Sequence, residues 1–409
     1  MTHTARMDTA DRLALSAAAA PIGKVVVLAD AAREAAAHCR VVVEVLRGGL
    51  ARDVILAVGP GASIDGPGAA DIGRVEIDCG VPWRNPLHES AEAWKVARMI
   101  EAERPDVLHV VGLKPAAMAG LALRLAPTPG ILVHLPDLCA LEFQAGDTAW
   151  RYRKIVLMLL GSLVRKPGSF LLVGCDEDLG QLRTLRIDPG PRFAVVGGAG
   201  IDPDVYPVLP PSPSEMPVAA FVGAVSEASG VRTLMQAFER LWARGLRLQL
   251  EIHGELEGGD GLAAEWAKWS LHPGVRCSAG WPADAREVWR RAEICVWPVP
   301  TRQGLPRALM EAAACGRALV VADAPGAVRA FVRDVVEGSV VPAGDASALG
   351  AALERLARDA GLRQRLGAAA RLRVLQGLTA AHVQETLRSA YLSLLATGAR
   401  HGRHEIADP

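Results

Sequence analysis

The chain has 409 residues, of which half are hydrophobic and 22% are charged, and this composition excludes a wholly disordered protein. Its 45 basic residues balance 45 acidic ones, which excludes a global field that would favour nucleic acid or an anionic surface. Seven cysteines occur singly and no apolar run reaches the roughly 20 residues that span a bilayer, so neither a disulfide framework nor a transmembrane helix is expected.

A doubly wound domain is predicted for residues 22–202, after a flexible tail at 1–21. Short runs rich in Val, Ile and Leu alternate there with helical patterns such as those at 32–46 and 90–103. Continuous apolar strands are typical of a parallel sheet covered on both faces, and their alternation with helices indicates βαβ units. The predicted strands are 24–29, 53–58, 74–77, 106–111, 130–134, 169–174 and 193–196.

Six prolines between residues 202 and 217 interrupt this alternation, and they predict an interdomain linker at 203–217. The pattern then restarts as a second doubly wound domain at 218–378. The fold class is therefore α/β, with two parallel-sheet, Rossmann-like domains and a ligand crevice at the carboxyl ends of their strands. The strands predicted for the second domain are 218–225, 247–253, 294–298 and 318–323.

One stretch departs from the overall charge balance. Residues 150–168 contain five basic residues and no acidic one around an apolar core at 155–164. A helix of this kind can lie in a membrane interface, which predicts peripheral membrane contact. The alternative is a core helix of the first domain with cationic ends.

Generic motifs are absent: there is no Walker A loop, no G-x-S-x-G elbow, no histidine pair at zinc spacing and no sign of a nucleic-acid reader. The informative stretch is 301–345. Its turn at 303–306 is expected to open a helix whose N-terminus could bind an anion. Glu311, about two turns into that helix, could accept hydrogen bonds from ribose or sugar hydroxyls, or it could be an ordinary solvated or capping carboxylate.

The stretch 301–345 resembles the donor-binding region of retaining glycosyltransferases of the GT-B fold, family 4. The family pattern is a glutamate, Gly-Leu-Pro, a second glutamate eight positions after the first, an Ala-Cys-Gly turn and a VPPGD-like segment. This chain matches it with Gly304-Leu305-Pro306, Glu311, Cys315-Gly316 and 341–345. Further similar segments are 106–125, 195–206, 221–223 and 230–234. The resemblance implies GT-B architecture, with two domains facing across a cleft, a helix at 379–398 that crosses back onto the first domain, and a tail at 399–409.

The resemblance implies transfer of a sugar, with retention, from a nucleotide diphosphate sugar to a glycan or lipid-linked acceptor of the cell envelope. No metal and no cofactor are expected, and the location is expected to be cytoplasmic or at the inner face of the membrane. The implied donor-binding residues are Gly223, Arg232, Arg302, Gln303, Gly304, Leu305, Pro306, Arg307 and Glu311. The candidate catalytic residues are Asp137, His134 and Glu311, and Lys114 is the candidate acceptor contact.

Four positions depart from the family pattern. Ala224 and Ser229 stand where an arginine and a lysine normally neutralise the donor diphosphate, Gln303 replaces the first glutamate, and Pro136 replaces a histidine. Nearby arginines, histidine and aspartate could compensate, or they could be ordinary surface, strand and turn residues. The departures support a second hypothesis, a catalytically degenerate GT-B protein that acts as a binding or scaffold partner. A third is a GT-B enzyme with another phosphate-bearing substrate.

Overall fold

The computed structural model describes residues 22–30, 33–60, 72–80, 86–126, 129–139, 148–212 and 216–402. The chain divides into two compact units. The first contains the residues up to Ala199 and those from Ala381 onwards, and the second is Gly200–Ala380. The tail expected at 1–21 lies outside the described residues.

The first unit is built on a seven-stranded parallel sheet. Its spatial order is β3-β2-β1-β4-β5-β6-β7, so the strand order reverses between β1 and β4, the position at which open α/β sheets bind ligands. The strands are β1 (Ile22–Ala29), β2 (Ala51–Val58), β3 (Gly73–Glu76), β4 (Val107–Val111), β5 (Gly130–Leu135), β6 (Ser169–Val173) and β7 (Phe193–Val195). The helices between them are α1 (Arg33–Val45), α2 (Pro86–Glu103), α3 (Leu113–Ala122), α4 (Thr148–Val164) and α5 (Asp176–Thr184).

The second unit has a six-stranded parallel sheet in the order β12-β10-β8-β13-β14-β15. Its strands are β8 (Val218–Val222), β10 (Gln249–Gly254), β12 (Val275–Ala279), β13 (Ile294–Trp297), β14 (Ala318–Asp323) and β15 (Gly338–Pro342), while β9 (Val225–Ser226) pairs separately with β11 (Leu256–Glu257). Its helices are α6 (Val231–Ala243), α7 (Asp260–Ser270), α8 (Ala285–Arg291), α9 (Arg307–Ala314), α10 (Ala327–Phe331), α11 (Ala346–Arg358) and α12 (Ala360–Leu375).

The proline-rich segment is hydrogen-bonded to the second unit through its described part, 201–212. Ile201 N–H donates to Leu378 O at 2.9 Å. Further along, Leu209 N–H donates to Cys315 O at 3.2 Å. Prolines have no N–H group to donate to a neighbouring strand, so side chains supply hydrogen bonds instead. The Arg317 guanidinium donates to the carbonyl oxygens of Leu209 and Pro210. These contacts attach the segment that the prolines predicted as a linker to one unit.

The last helix, α13 (Ala380–Gly402), belongs to the first unit from Ala381 onwards. Apolar side chains along one face, from Val383 to Leu394, join the core formed by α1 and one face of the seven-stranded sheet. The helix continues to Gly402, into the stretch expected to be a tail. Within the described residues, no helix combines the length and apolar character needed to cross a membrane.

Candidate functional site

The loop before α9 lies against the turn that follows β14. Gln303 forms a parallel bridge with Gly326, and the amide of Ala327 donates to Gln303 O at 3.4 Å. Gly326 has a φ of 104°, and a Cβ there would lie 2.9 Å from Gln303 O, so a larger residue would separate the two segments. The turn predicted at 303–306 is therefore in contact with the turn that follows β14, and its residues Gly304, Leu305 and Pro306 are buried.

The helix itself begins at Arg307, directly after the predicted turn, because Pro306 has the extended backbone of an N-cap residue. The first amides of a helix have no intrahelical acceptor. Together with the positive end of the helix dipole they can bind an anion. Arg307, in the first helical position, has a side chain that is 43% exposed and adds a cation to this end of the helix.

Glu311 lies in the second turn of α9, and its side chain is 6% exposed. The Tyr206 hydroxyl donates to Glu311 Oε1 at 2.8 Å, and Arg307 Nε donates to the same oxygen at 2.9 Å. Burial raises the pKa of the Glu311 carboxyl, and the contacts with Arg307 and Tyr206 partly offset this increase. Glu311 is therefore a buried, hydrogen-bonded carboxylate, and neither the solvated nor the capping alternative applies.

The loop after β8 carries two of the departures from the family pattern. A Cβ on Gly223 would lie 2.8 Å from the Phe221 ring, which explains glycine at this position. Ser229 Oγ accepts from the amide of Ser226 at 3.2 Å and donates to its carbonyl oxygen at 2.8 Å. The serine that replaces the expected lysine therefore caps its own turn.

Two further arginines had been predicted to supply charge to the donor. Arg232 Nε donates to Glu265 at 2.6 Å, and its terminal nitrogens pair with Glu227, so two carboxylates already balance this cation. Arg302 is buried, and its Cγ would lie 3.2 Å from a Cβ placed on Gly326. Of the three arginines predicted to bind the donor, Arg307 combines an exposed side chain with a position at the start of α9.

The three candidate residues of the first unit differ in burial: Lys114 and His134 are buried, whereas Asp137 is partly exposed. Lys114 is buried, and its Nζ donates to Gly80 O at 2.6 Å and pairs with Glu89 at 3.1 Å. His134 is buried as well, and its ring lies 4.8 Å from that of His38. Asp137 follows β5 and accepts from the amide of Cys139 at 2.9 Å, which is the local bond of a turn-forming aspartate.

Tyr206 is the residue of this site that sequence reasoning missed. It is one of three tyrosines in the chain and belongs to the segment 195–206, yet no motif marks it. Its partner Glu311 is 105 residues away, so only the folded chain shows the contact. Among the described residues, no group of three or more His, Cys, Asp or Glu side chains is arranged to hold a metal ion.

Comparison with known proteins finds similarity in the part of the chain that carries α9 and Glu311. Residues 216–359 match the model of the family described as glycosyl transferases group 1. Over 225 residues the chain is 28% identical to the lipopolysaccharide core biosynthesis glycosyltransferase LpsE of Rhizobium meliloti (strain 1021). This alignment covers 54% of this chain and 60% of LpsE. It is 25% identical over 179 residues to the capsular polysaccharide biosynthesis glycosyltransferase CapM of Staphylococcus aureus, covering 44% and 46% of the two chains. The match thus spans about half the length of these curated relatives.

Solved structures extend the likeness to most of the chain. Sucrose-phosphate synthase from Thermosynechococcus elongatus aligns with a TM-score of 0.73 at 16% identity, covering 91% of this chain and 99% of its own. HepE of Anabaena, solved in complex with UDP and glucose, aligns with a TM-score of 0.71 at 14% identity, covering 90% and 99%. The predicted fold class is confirmed: the chain has the two parallel-sheet α/β domains of the GT-B fold, and residues 216–359 match the glycosyl transferases group 1 family.

Proposed function

We propose that the protein is a glycosyltransferase of polysaccharide biosynthesis that transfers a sugar, with retention, from a nucleotide diphosphate sugar to a glycan or lipid-linked acceptor. The observation that carries the proposal is the buried Glu311 carboxylate in the second turn of a helix whose N-terminus follows Gly304-Leu305-Pro306. The relatives support the class of reaction, since LpsE and CapM are named for lipopolysaccharide core and capsule biosynthesis. HepE, which shares the fold, has been solved with UDP-glucose.

In this proposal the donor binds to the second unit. The amides at the start of α9, at the positive end of its dipole, and the exposed Arg307 guanidinium attract the diphosphate, whose negative charge increases as the sugar leaves. Glu311 accepts from a hydroxyl of the donor. Ala224 and Ser229 carry no charge and Arg307 is already paired with Glu311, so the helix dipole supplies part of the neutralisation that two cations perform in the family pattern.

The acceptor binds to the first unit in this proposal. Asp137, at the carboxyl end of β5, is the candidate there with a partly exposed side chain, and it can accept a proton from an attacking hydroxyl. His134 and Lys114 are buried in the same unit, so we assign neither of them a direct contact with the acceptor.

The experiment is thermal unfolding in the presence of UDP, GDP, ADP and TDP and their sugar conjugates. A ligand at 100 times its dissociation constant adds about 2.7 kcal/mol to the stability of the state that binds it. We expect a rise in Tm of roughly 2–4 °C that is selective for one nucleotide. Unfolding curves that no nucleotide shifts would contradict the proposal. They would favour the catalytically degenerate binding protein, which is motivated by the departures from the family pattern at positions 224, 229, 303 and 136.

Membrane contact through 150–168 is a separate part of the proposal. One face of α4 packs in the core of the first unit and includes Val156 and Leu160, as expected for the alternative of a core helix with cationic ends. The opposite face exposes Ile155 and Met158, which are 50% and 51% accessible, beside the exposed Lys154. Apolar side chains flanked by cations suit the surface of an anionic bilayer, so we place the protein at the inner face of the membrane.

We expect the protein to co-sediment with vesicles that contain phosphatidylglycerol, and less so as salt is raised. The variant I155S/M158S should bind these vesicles about tenfold more weakly, because it loses two apolar side chains from the interface. L372S is the matched control, since Leu372 is 55% exposed on α12 in the other unit. Equal binding by I155S/M158S and the unaltered protein would contradict membrane contact through α4.

A further inference from the structure

Glu311 accepts hydrogen bonds from two parts of the second unit. Arg307 lies one turn before it on α9, and Tyr206 comes from the proline-rich segment. Both hydrogen bonds end on Oε1, at 2.8 and 2.9 Å. A carboxylate has two oxygens with two acceptor positions each, so this arrangement leaves Oε2 as the oxygen with capacity to accept.

The tyrosine is held in place independently of Glu311. Tyr206 N–H donates to Asp202 O at 3.0 Å, and Arg371 Nη1 donates to Tyr206 O at 3.0 Å. The same Arg371 nitrogen donates to the carbonyl oxygen of Ala314, the last residue of α9. Arg371 therefore ties the backbone of Tyr206 to the helix that carries Glu311.

The tyrosine ring is also packed from the other side. The Arg307 guanidinium carbon lies 6.0 Å from the centroid of the Tyr206 ring, within the range of a cation–π contact. Tyr206 is 8% exposed, so neither its ring nor its hydroxyl can turn freely. The direction of the hydroxyl, and with it the orientation of the Glu311 carboxylate, is fixed by packing.

We propose that Tyr206 is a positioning residue of the donor site, whose hydroxyl orients the Glu311 carboxylate so that Oε2 accepts from a hydroxyl of the nucleotide diphosphate sugar. This inference rests on the proposed function and adds to it a residue that no motif identifies. The hydroxyl can belong to the ribose or to the transferred sugar, because both offer the same donor chemistry. The arms of the experiment separate them.

The variant Y206F removes the hydroxyl and keeps the ring. Y391F is the matched control: Tyr391 is also a buried tyrosine, and its hydroxyl lies 2.6 Å from His109 Nδ1 in the first unit. We expect Y206F to weaken binding of the nucleotide selected by thermal unfolding by about tenfold, the usual effect of losing a hydrogen bond to a charged group. Y391F should leave that affinity unchanged.

The 2′-deoxy and 3′-deoxy forms of the same nucleoside diphosphate identify the hydroxyl. If Oε2 binds the ribose, the unaltered protein discriminates against one of these forms and Y206F discriminates less. If it binds the sugar, both proteins bind the deoxy forms like the parent nucleotide, and Y206F loses affinity for the sugar conjugate alone. Equal affinity of Y206F and the unaltered protein for all these ligands would overturn the role of Tyr206.

The pH dependence of binding supplies a readout that a merely structural role would not change. Donor affinity should fall as Glu311 becomes protonated, and in Y206F the midpoint should move to higher pH, because a donor that favours the charged carboxylate is gone. The other groups that face Glu311 or act on its partners are the Arg307, Arg286 and Arg371 guanidiniums and the Cys295 and Cys315 thiols, and both variants leave them in place.

An unmoved midpoint would overturn the positioning role even if the affinity falls. Absence of nucleotide binding by the unaltered protein is a different result: it would overturn the proposed function, and the role of Tyr206 with it. Because the Y206F comparison is made only against a measured affinity of the unaltered protein, the two failures are distinguishable.

Discussion

Acidification from pH 7 to pH 5 is expected to lower the free energy of unfolding of the first unit by about 5 kcal/mol. The cause is three buried histidines on neighbouring elements: His38 on α1, His109 on β4 and His134 on β5. The ring centroids of His109 and His134 are 5.6 Å apart. Burial lowers the pKa of His38 to about 4 and that of His109 to about 3, and it lowers the pKa of His134 well below its usual range.

The sign follows from the protons that each state binds. In the unfolded chain these histidines have a pKa of about 6.5. Below that pH the unfolded state therefore binds protons that the folded state does not bind. Stability is therefore fully present above pH 6.5 and is lost as the pH falls towards 4. Between pH 7 and pH 5, each histidine contributes about 2 kcal/mol to this loss of stability.

Urea unfolding at a series of pH values measures the effect. His134→Leu should reduce the loss between pH 7 and pH 5 by about a third, because one of the three titrating groups is gone. It also removes two ring nitrogens that have no hydrogen-bond partner among the described residues. His382→Gln, on the exposed face of α13, is the control for the loss of a histidine outside the buried cluster. Stability that stays constant between pH 7 and pH 5 would show that the three rings are not buried as described.

The variant E311Q should lower kcat/KM by about 100-fold and abolish most of the nucleotide-dependent rise in Tm. The amide keeps the shape of the side chain and loses its charge, so the bonds from Tyr206 and Arg307 weaken and the second oxygen is replaced by a donor group. Hydrogen bonds to a charged group contribute about 1.5–3 kcal/mol, which corresponds to this fold-change.

The chain contains a matched control for this variant. Glu337 is also buried, and it also pairs with an arginine four residues before it, Arg333, at 3.0 Å. E337Q therefore loses the same type of ion pair in the same unit, and it should cost stability without changing nucleotide affinity. Full turnover in E311Q would remove Glu311 from the mechanism, and equal losses in both variants would attribute the effect to stability alone.

Much of the fold could be predicted from local pattern, and little of the site could. Runs such as that of β13 are apolar throughout and lie between two helices, so their burial in a parallel sheet follows from the sequence. β12 and β15 were not predicted, because β12 is a partly exposed edge strand with two polar side chains and an alanine, and β15 starts with glycine and ends with proline. β12 and β15 are the two edge strands of the sheet. An edge strand is less completely buried than a central one, so its sequence is less continuously apolar and harder to recognise as a strand.

The candidate site depended on contacts between distant parts of the chain. The motif located Glu311 and the turn at 303–306, since these lie within one helix and its opening loop. Tyr206 and the histidine cluster are defined by partners far away in sequence, such as His109 and Tyr391, which are 282 residues apart. The burial of His134 and Lys114 likewise depends on packing between distant segments, which the residue types alone do not indicate.

The division of the chain has a consequence for the order in which the protein is completed during synthesis. The core of the first unit includes Val25 and Val27 near the start of the described chain, and also Leu387, Tyr391 and Leu394 near its end. The second unit is continuous from Gly200 to Ala380, so all of its residues are synthesised before the last helix of the first unit. The first unit therefore begins to be synthesised before the second and is completed after it. Until α13 has been synthesised, one face of its sheet lacks the apolar side chains that this helix supplies.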